Sequence, residues 1–178
     1  MRNCSLIWRK GAETVDKDFE LIYETYKTDL YRFILSMTQN EDLALDILQD
    51  TMLKAASSLE KFRGECSVKT YLCAIARNEY RSWLKANRDR PLSMQEIGEP
   101  AAPDDVAKQA ETRDLSMQIH SLLHRLEEPY KEVFLLRVFA ELRFSEIGTL
   151  FGKSENWAGV TFFRAKKKLL AMMEEDEI

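Results

Sequence analysis

Residues 144–169 read FSEIGTLFGKSENWAGVTFFRAKKKL. Apolar residues recur at helical spacing on each side of Gly152, and Ser145 and Ser154 stand where helix N-caps are expected. Glycine takes the left-handed backbone of a tight turn without steric cost. The segment therefore predicts two short helices joined at Gly152, which is the pattern of a helix-turn-helix that places its second helix in a groove of DNA.

The second of these helices has two contrasting faces. Helical spacing predicts a buried stripe formed by Ala158, Phe162, Ala165 and Leu169. The opposite face carries Asn156, Gly159, Val160, Phe163, Arg164 and Lys167, and Lys153 lies in the turn. A major groove offers methyl groups, phosphates and guanine edges to such a mixture of side chains. The alternative is an ordinary amphipathic helix pair with a solvated lysine run.

The composition is that of a globular protein. Of the 178 residues, 45% are hydrophobic and 31% are charged, which suffices for one or two small cores and excludes the class of disordered chains. No apolar run approaches the roughly 18 residues of a membrane span, and residues 1–13 contain no long apolar leader. We therefore expect a cytoplasmic protein without membrane insertion.

Cysteine and histidine do not indicate a metal or cofactor site. The three cysteines, Cys4, Cys66 and Cys73, lack C-x-x-C spacing, so neither a disulfide framework nor a zinc site is predicted. His120 and His124 share one face of a predicted helix, but no further ligand of suitable spacing accompanies them. We expect no metal, no cofactor and no catalytic site.

Charge is strongly segregated along the chain, although the net charge is only -4. Residues 61–90 hold eight basic and three acidic side chains, and residues 153–168 hold five basic and one acidic. Residues 41–60 show the reverse, with five acidic side chains and Lys54 as their single basic one. Two basic segments beside an acidic one are expected of a chain that contacts DNA at two places and offers another face to protein.

Helical periodicity runs through most of the chain, and no segment alternates with period two. We expect helices over 19–38, from Leu43 to near Phe62, and from about Ser67 to Lys85. Helical spacing resumes near residue 115 and pauses at Glu128, and Pro129 suits a first helical position. The pattern predicts an all-α fold of two small helical domains.

Composition also predicts where these domains begin and end. Pro91, Pro100 and Pro103 interrupt any helix and stand among mainly acidic residues, which indicates a flexible linker. The expected parts are an N-terminal extension at 1–15, a first domain of three to four helices at 16–85, a linker at 86–113, a four-helix domain with the helix-turn-helix at 114–173, and an acidic tail at 174–178.

A second segment combines basic and aromatic residues. Residues 61–85 read KFRGECSVKTYLCAIARNEYRSWLK. Binding to single-stranded nucleic acid needs this mixture, because basic groups follow the phosphates while aromatic rings stack on bases, at about 1–3 kcal/mol per base. The alternative is that Tyr71 and Trp83 are core aromatics and that the charges form a solvated face.

The two halves together resemble the extracytoplasmic-function (ECF, or group-four) sigma factors of bacterial RNA polymerase. The resemblance covers nearly all of residues 19–172. Residues 41–55, EDLALDILQDTMLKA, are similar to the family's polymerase-binding helix. Residues 62–78, FRGECSVKTYLCAIARN, are similar to its promoter-melting segment and keep the ending I-A-R-N. Residues 126–169 resemble its reader of the minus-thirty-five element, with an R-A pair at Arg164 and Ala165.

The resemblance implies a promoter-recognition subunit with three sets of site residues. Binding of the polymerase core would use Asp46, Gln49 and Asp50. The separated strand of the minus-ten element would be held by Phe62, Arg63, Lys69, Tyr71, Arg77, Asn78 and Arg81. The helix-turn-helix, 144–163, would contact the minus-thirty-five element with Lys153, Asn156, Val160, Phe163, Arg164 and Lys167.

The implied partners are bacterial RNA polymerase core, promoter DNA and an anti-sigma factor, with a monomer in the free state. The chain departs from the family pattern at two site positions. Family members commonly carry tryptophan where Tyr71 stands and a basic residue where Gly159 stands. Glycine costs a helix roughly 0.5–1 kcal/mol relative to alanine.

Two other functions fit parts of the pattern. A stand-alone helix-turn-helix regulator would need a dimer to bind two half-sites, and no heptad or second apolar face indicates one. A helical adaptor would use the basic faces to bind acidic proteins. Competition by promoter DNA and a steep salt dependence, about -0.9 per neutralised phosphate, would contradict the adaptor.

Overall fold

The structure is a computed structural model that describes residues 12–58, 62, 64, 66–87 and 121–176, with side chains from residue 19 onward. These residues contain helices and connecting turns and no strand, which confirms the predicted all-α class. The chain divides into two compact units, Met1–Met94 and Gln95–Ile178. Within the described ranges, no helix is both long enough and apolar enough to span a membrane.

The described residues of the first unit form three helices, each packed against the other two: α1 (Ala12–Thr38), α2 (Glu41–Ser58) and α3 (Val68–Ala86). Phe33 and Ile34 of α1 are fully buried, and full burial of such a side chain contributes about 1.5–3 kcal/mol. The buried apolar residues from the other two helices are Ala44, Ile47, Leu48, Met52, Ala55, Val68, Leu72, Cys73 and Ala76.

Side chains fix the ends of these helices. The Asn40 side-chain oxygen accepts from the backbone N–H of Leu43 at 2.7 Å and so starts α2. The Ser67 hydroxyl accepts from the backbone N–H of Thr70 at 3.1 Å and starts α3. These bonds satisfy N–H groups that a first helical turn leaves without partners.

The structure describes α2 as far as Ser58, and Phe62, near which the second helix is predicted to end, is not helical. In its last described turn, the hydroxyls of Ser57 and Ser58 both donate to the carbonyl oxygen of Lys54. Serine hydroxyls that bond to nearby backbone favour helix ends over helix interiors.

The second unit contains a helical segment α4, described at 121–125, followed by α5 (Tyr130–Val138), α6 (Phe144–Phe151) and α7 (Glu155–Glu175). Helix α7 packs against both α5 and α6. Pro129 is the residue before the first turn of α5 rather than within it. The buried apolar residues are Leu122, Leu123, Leu126, Val133, Leu135, Leu136, Ala140, Leu142, Ile147, Ala158, Ala165 and Leu169.

The start of α6 also differs from the expectation that Ser145 is its cap. The helix begins two residues earlier than that cap implies, at Phe144, and Arg143 holds the extended cap position. A Glu146 carboxylate oxygen accepts from the backbone N–H of Arg143 at 2.9 Å, which places a negative charge in the first turn, where the helix dipole favours it. Residues 1–11 and 88–120, which hold His120 and most of the predicted extension and linker, lie outside the described residues.

Candidate nucleic-acid interface

The turn between α6 and α7 has the predicted geometry. Gly152 has a left-handed backbone with φ of 61°, and its N–H donates to the Thr149 carbonyl oxygen at 3.1 Å. The Ser154 hydroxyl accepts from the backbone N–H of Trp157 at 3.2 Å and starts α7. A glycine C-cap and a serine N-cap therefore set the angle at which α7 leaves the turn.

Gly148 holds the two helices at close range, a role that the sequence did not reveal. A Cβ placed on Gly148 would lie 2.8 Å from the Lys153 carbonyl oxygen and 2.9 Å from the Ser154 carbonyl oxygen. Lys153 also donates its backbone N–H to the Gly148 carbonyl oxygen at 2.8 Å. The turn thus folds back directly onto the middle of α6.

We expect Gly148→Val to destabilise the chain, because its side chain would push against backbone atoms that cannot rotate away. The free energy of unfolding should fall by about 1–3 kcal/mol. Gly159→Ala is the matched control: its new Cβ would meet only a Phe144 ring carbon at 3.8 Å, and it should stabilise α7 by about 0.5–1 kcal/mol. Urea unfolding followed by circular dichroism measures both, and equal midpoints for Gly148→Val and wild type would refute the close approach.

The outward face of α7 presents the predicted residues to solvent. Phe163 is 64% exposed and Val160 is 40% exposed. The polar and charged members of this face, all exposed, are Asn156, Arg164 and Lys167. Five of the six predicted contacts therefore share one accessible side of α7, and the sixth, Lys153, is exposed in the turn before it.

The inward face of α7 also follows the prediction, with one addition. Ala158, Ala165 and Leu169 are buried, as is Thr161, which the apolar pattern had missed. Phe162 is half-buried, and its ring stacks on Phe134 with centroids 5.5 Å apart. It also contacts the Phe144 ring at 5.6 Å, so one side chain of α7 joins α5 to α6.

A second surface lies on α2. Asp46, Gln49 and Asp50 are all exposed, as their predicted role in core binding requires. Leu45 and Leu53, 53% and 61% exposed, stand beside them. The sequence reasoning missed these two leucines, although their spacing from Gln49 is i-4 and i+4 and would have indicated a shared face.

The structure brings only part of the predicted strand-binding set together. The rings of Phe62 and Tyr71 are 4.8 Å apart, and the Tyr71 hydroxyl donates to the Ser58 hydroxyl at 2.6 Å. Asn78 and Arg81 of α3 are exposed. Arg63 lies outside the described residues.

The other two basic residues of this set are engaged within the first unit. Lys69 forms an ion pair with Asp29 of α1, with its Nζ 2.8 Å from the carboxylate. Arg77 is only 9% exposed, so its side chain packs mainly inside the unit and not on its surface. A strand bound here would meet Asn78 and Arg81 more directly than Arg77.

His124 is the histidine that the structure describes, and it contacts a lysine. The Nδ1 atom of His124 lies 3.1 Å from Nζ of Lys131. Burial lowers the pKa of Lys131, and the nearby carboxylates of Glu128 and Glu132 act in the opposite direction. In residues 12–58, 66–87 and 121–176, no three side chains of the metal-binding types cluster.

Comparison with known proteins identifies both units. The family described as Sigma-70 region 2 matches residues 22–90, and the family described as Sigma-70, region 4 matches residues 116–169. The RNA polymerase sigma factor YlaC of Bacillus subtilis is 29% identical over 168 residues, which cover 89% of this chain and 96% of that protein. The ECF RNA polymerase sigma factor SigM of the same organism is 26% identical, covering 85% and 92%.

Two solved structures share the fold. RpoE of Bartonella quintana, co-crystallised with the anti-sigma factor NepR, superposes with a TM-score of 0.70 at 22% identity, covering 89% of this chain and 98% of that one. CnrH, in complex with the cytosolic domain of CnrY, superposes with a TM-score of 0.69 at 20% identity and covers 90% of each chain. The three described helices of one unit and the helix-turn-helix of the other fit the two matched families and the sigma factors that are similar in sequence. The chain belongs to the extracytoplasmic-function group of RNA polymerase sigma factors.

Proposed function

We propose that this sigma factor binds the core polymerase with α2, reads an upstream duplex element with α7 and holds the opened strand with α3 and the loop before it. The observation that carries the proposal is the outward face of α7, where an exposed aromatic and an exposed valine stand beside Arg164 and Lys167 on a capped helix-turn-helix. The protein would act in the cytoplasm and have no catalytic site of its own, since recognition and opening are binding events.

Core binding is assigned to the α2 surface formed by Leu45, Asp46, Gln49, Asp50 and Leu53. An exposed leucine on each side of two carboxylates suits a partner with a basic and apolar face. Charge complementarity sets the register of such a contact, and the leucines add apolar surface that is buried on binding.

Strand capture is assigned to the surface around Phe62, Tyr71, Asn78 and Arg81. Extruding a base costs a few kcal/mol of unstacking. Stacking on an aromatic ring and hydrogen bonds from the Asn78 amide offset this cost, while the Arg81 guanidinium pairs with a phosphate. Capture of the unpaired base would then make opening and recognition one event.

Regulation is assigned to an anti-sigma protein. This class of partner is bound to RpoE in its solved complex. A protein inhibitor that covers α2 or α7 would block the polymerase or the duplex, because both surfaces expose large apolar side chains.

Arg164→Ala tests the duplex-reading part of the proposal. If Arg164 contacts a base edge, the substitution should weaken binding of the holoenzyme to its upstream duplex by about 1–3 kcal/mol. Lys166→Ala also removes one positive charge, from an exposed position that lies about 200° from Arg164 around the helix axis. This control substitution should have little effect on duplex binding. A fluorescence-anisotropy titration at fixed salt compares them, and equal losses for the two variants would remove Arg164 from the interface.

A further inference from the structure

The side chain of Tyr71 is held at two points within the first unit. Its ring contacts the Phe62 ring, with centroids 4.8 Å apart and planes at 41°. Its hydroxyl donates to the Ser58 hydroxyl oxygen at 2.6 Å. Both rings are half-buried, so part of each remains open to a partner. A tyrosine side chain turns about only two torsions, and these two contacts together restrict both of them.

The other bonds of Ser58 determine the direction of its bond with Tyr71. The Ser58 hydroxyl has one hydrogen, which it donates to the backbone carbonyl oxygen of Lys54, with the Ala55 carbonyl oxygen at 3.4 Å as a second acceptor. Its oxygen therefore accepts from Tyr71. Two hydrogen bonds in series thus join the Tyr71 ring on α3 to the backbone of the last described turn of α2.

This link depends on the tyrosine at position 71. Tryptophan, which family members commonly carry there, has a ring N–H but no hydroxyl, and phenylalanine has neither. The link also connects two surfaces of the proposed function, because α2 carries the core-binding surface and the ring pair belongs to the strand-binding one. The helix that would dock on the polymerase therefore sets the position of the rings.

We infer that Ser58 is a positioning residue for strand capture, which holds the ring pair of Phe62 and Tyr71 in the orientation that stacks on an unpaired base. The inference rests on the proposed function, since it requires a strand at this surface. Stacking on an aromatic ring contributes most when the ring is already in place, because little side-chain freedom then remains to be lost on binding. Loss of the Ser58 hydroxyl would leave both rings in the chain but release Tyr71 at one of its two contacts.

Ser57 provides a matched control. Its hydroxyl donates to the same Lys54 carbonyl oxygen, at 3.0 Å, and its side chain is exposed. Ser57→Ala and Ser58→Ala therefore each remove one hydroxyl bond to the backbone of α2, but only Ser58→Ala also breaks the link to Tyr71. Ser58→Thr is the conservative variant, because it keeps a hydroxyl at the same place.

The test measures binding of single-stranded DNA by holoenzyme assembled from this chain and purified core polymerase. Strands that the holoenzyme retains are enriched from a randomised pool, and abasic sites introduced one at a time identify the captured base as the one whose removal weakens binding most. A fluorescence-anisotropy titration should show binding weakened by about three- to tenfold in Ser58→Ala and in Tyr71→Phe, the effect of one hydrogen bond. Ser57→Ala and Ser58→Thr should bind the strand as wild type does.

Two further readouts distinguish the position of the rings from general stability. The double variant Ser58→Ala with Tyr71→Phe should bind no more weakly than either single variant, because both substitutions remove the same bond. On the strand that lacks the captured base, Ser58→Ala should bind as wild type does, since no base is left to stack. Circular dichroism should show an unchanged helix content in every variant.

The outcomes separate this inference from the proposed function. If a base is captured but Ser58→Ala binds as Ser57→Ala does, or weakens strands with and without that base equally, Ser58 does not position the rings and strand capture stands. If removal of no single base weakens binding, the strand-capture part of the proposed function and this inference are both wrong.

Discussion

Reversing the charge of both Asp46 and Asp50, as Asp46→Lys with Asp50→Lys, is expected to lower the affinity for core polymerase at least about a hundredfold. The two carboxylates are exposed on adjacent turns of α2, so they act on the same part of a partner. Removing one member of a buried, hydrogen-bonded charge pair at an interface costs about 2–5 kcal/mol, and the new lysines would add repulsion. Fluorescence anisotropy of the labelled protein titrated with core enzyme measures the change.

A matched control separates this local effect from the change in net charge. Glu174→Lys with Glu175→Lys changes the net charge by the same amount at exposed positions near the end of α7. This variant should bind core enzyme as wild type does. A similar loss in both double variants, or no loss in either, would contradict the assignment of core binding to α2.

Replacing Asn78 and Arg81 together by alanine is expected to spare duplex binding and to reduce strand opening by about ten- to a hundredfold. Both side chains are exposed on α3, so the unit should keep its fold, unlike after loss of the buried Arg77. The estimate follows from one base contact and one phosphate contact, at about 1–3 kcal/mol in total. Permanganate reactivity of unpaired thymines in the holoenzyme complex measures opening.

The control for this pair is Arg32→Ala, which removes an exposed arginine from α1. It should leave permanganate reactivity unchanged. Full opening by the Asn78 and Arg81 double variant would exclude these residues from strand capture. A parallel loss of duplex binding would show that they act on the closed promoter instead.

The features that could be predicted from the sequence are those that local chemistry determines. Gly152 is at a left-handed turn because glycine pays little for it, and Ser67 and Ser154 cap helices through bonds to backbone only three residues away. The apolar stripe of α7 follows from helical period alone. These local rules were sufficient for the fold class and for the exposed face of the helix-turn-helix.

Other features depend on contacts between segments distant in sequence. Lys69 forms an ion pair with Asp29, forty residues earlier. The residues next to Lys69 in the sequence therefore could not show that its ammonium group already has a partner within the unit. Arg77 occupies a helical position that the packing of three helices buries. The close approach at Gly148 depends on the path of the turn after α6 and is not visible in the spacing of apolar residues.

The most direct measurement of the central claim is transcription in vitro with purified core polymerase and this chain as the sole specificity factor. Sheared genomic DNA of the source bacterium serves as template, and RNA 5′ ends are mapped by sequencing. We predict discrete start sites that share an upstream element at a fixed distance from an opened segment. If the core enzyme neither binds the chain nor acquires start sites from it, the chain does not act as a sigma factor, and a stand-alone regulator or an adaptor would explain its basic faces instead.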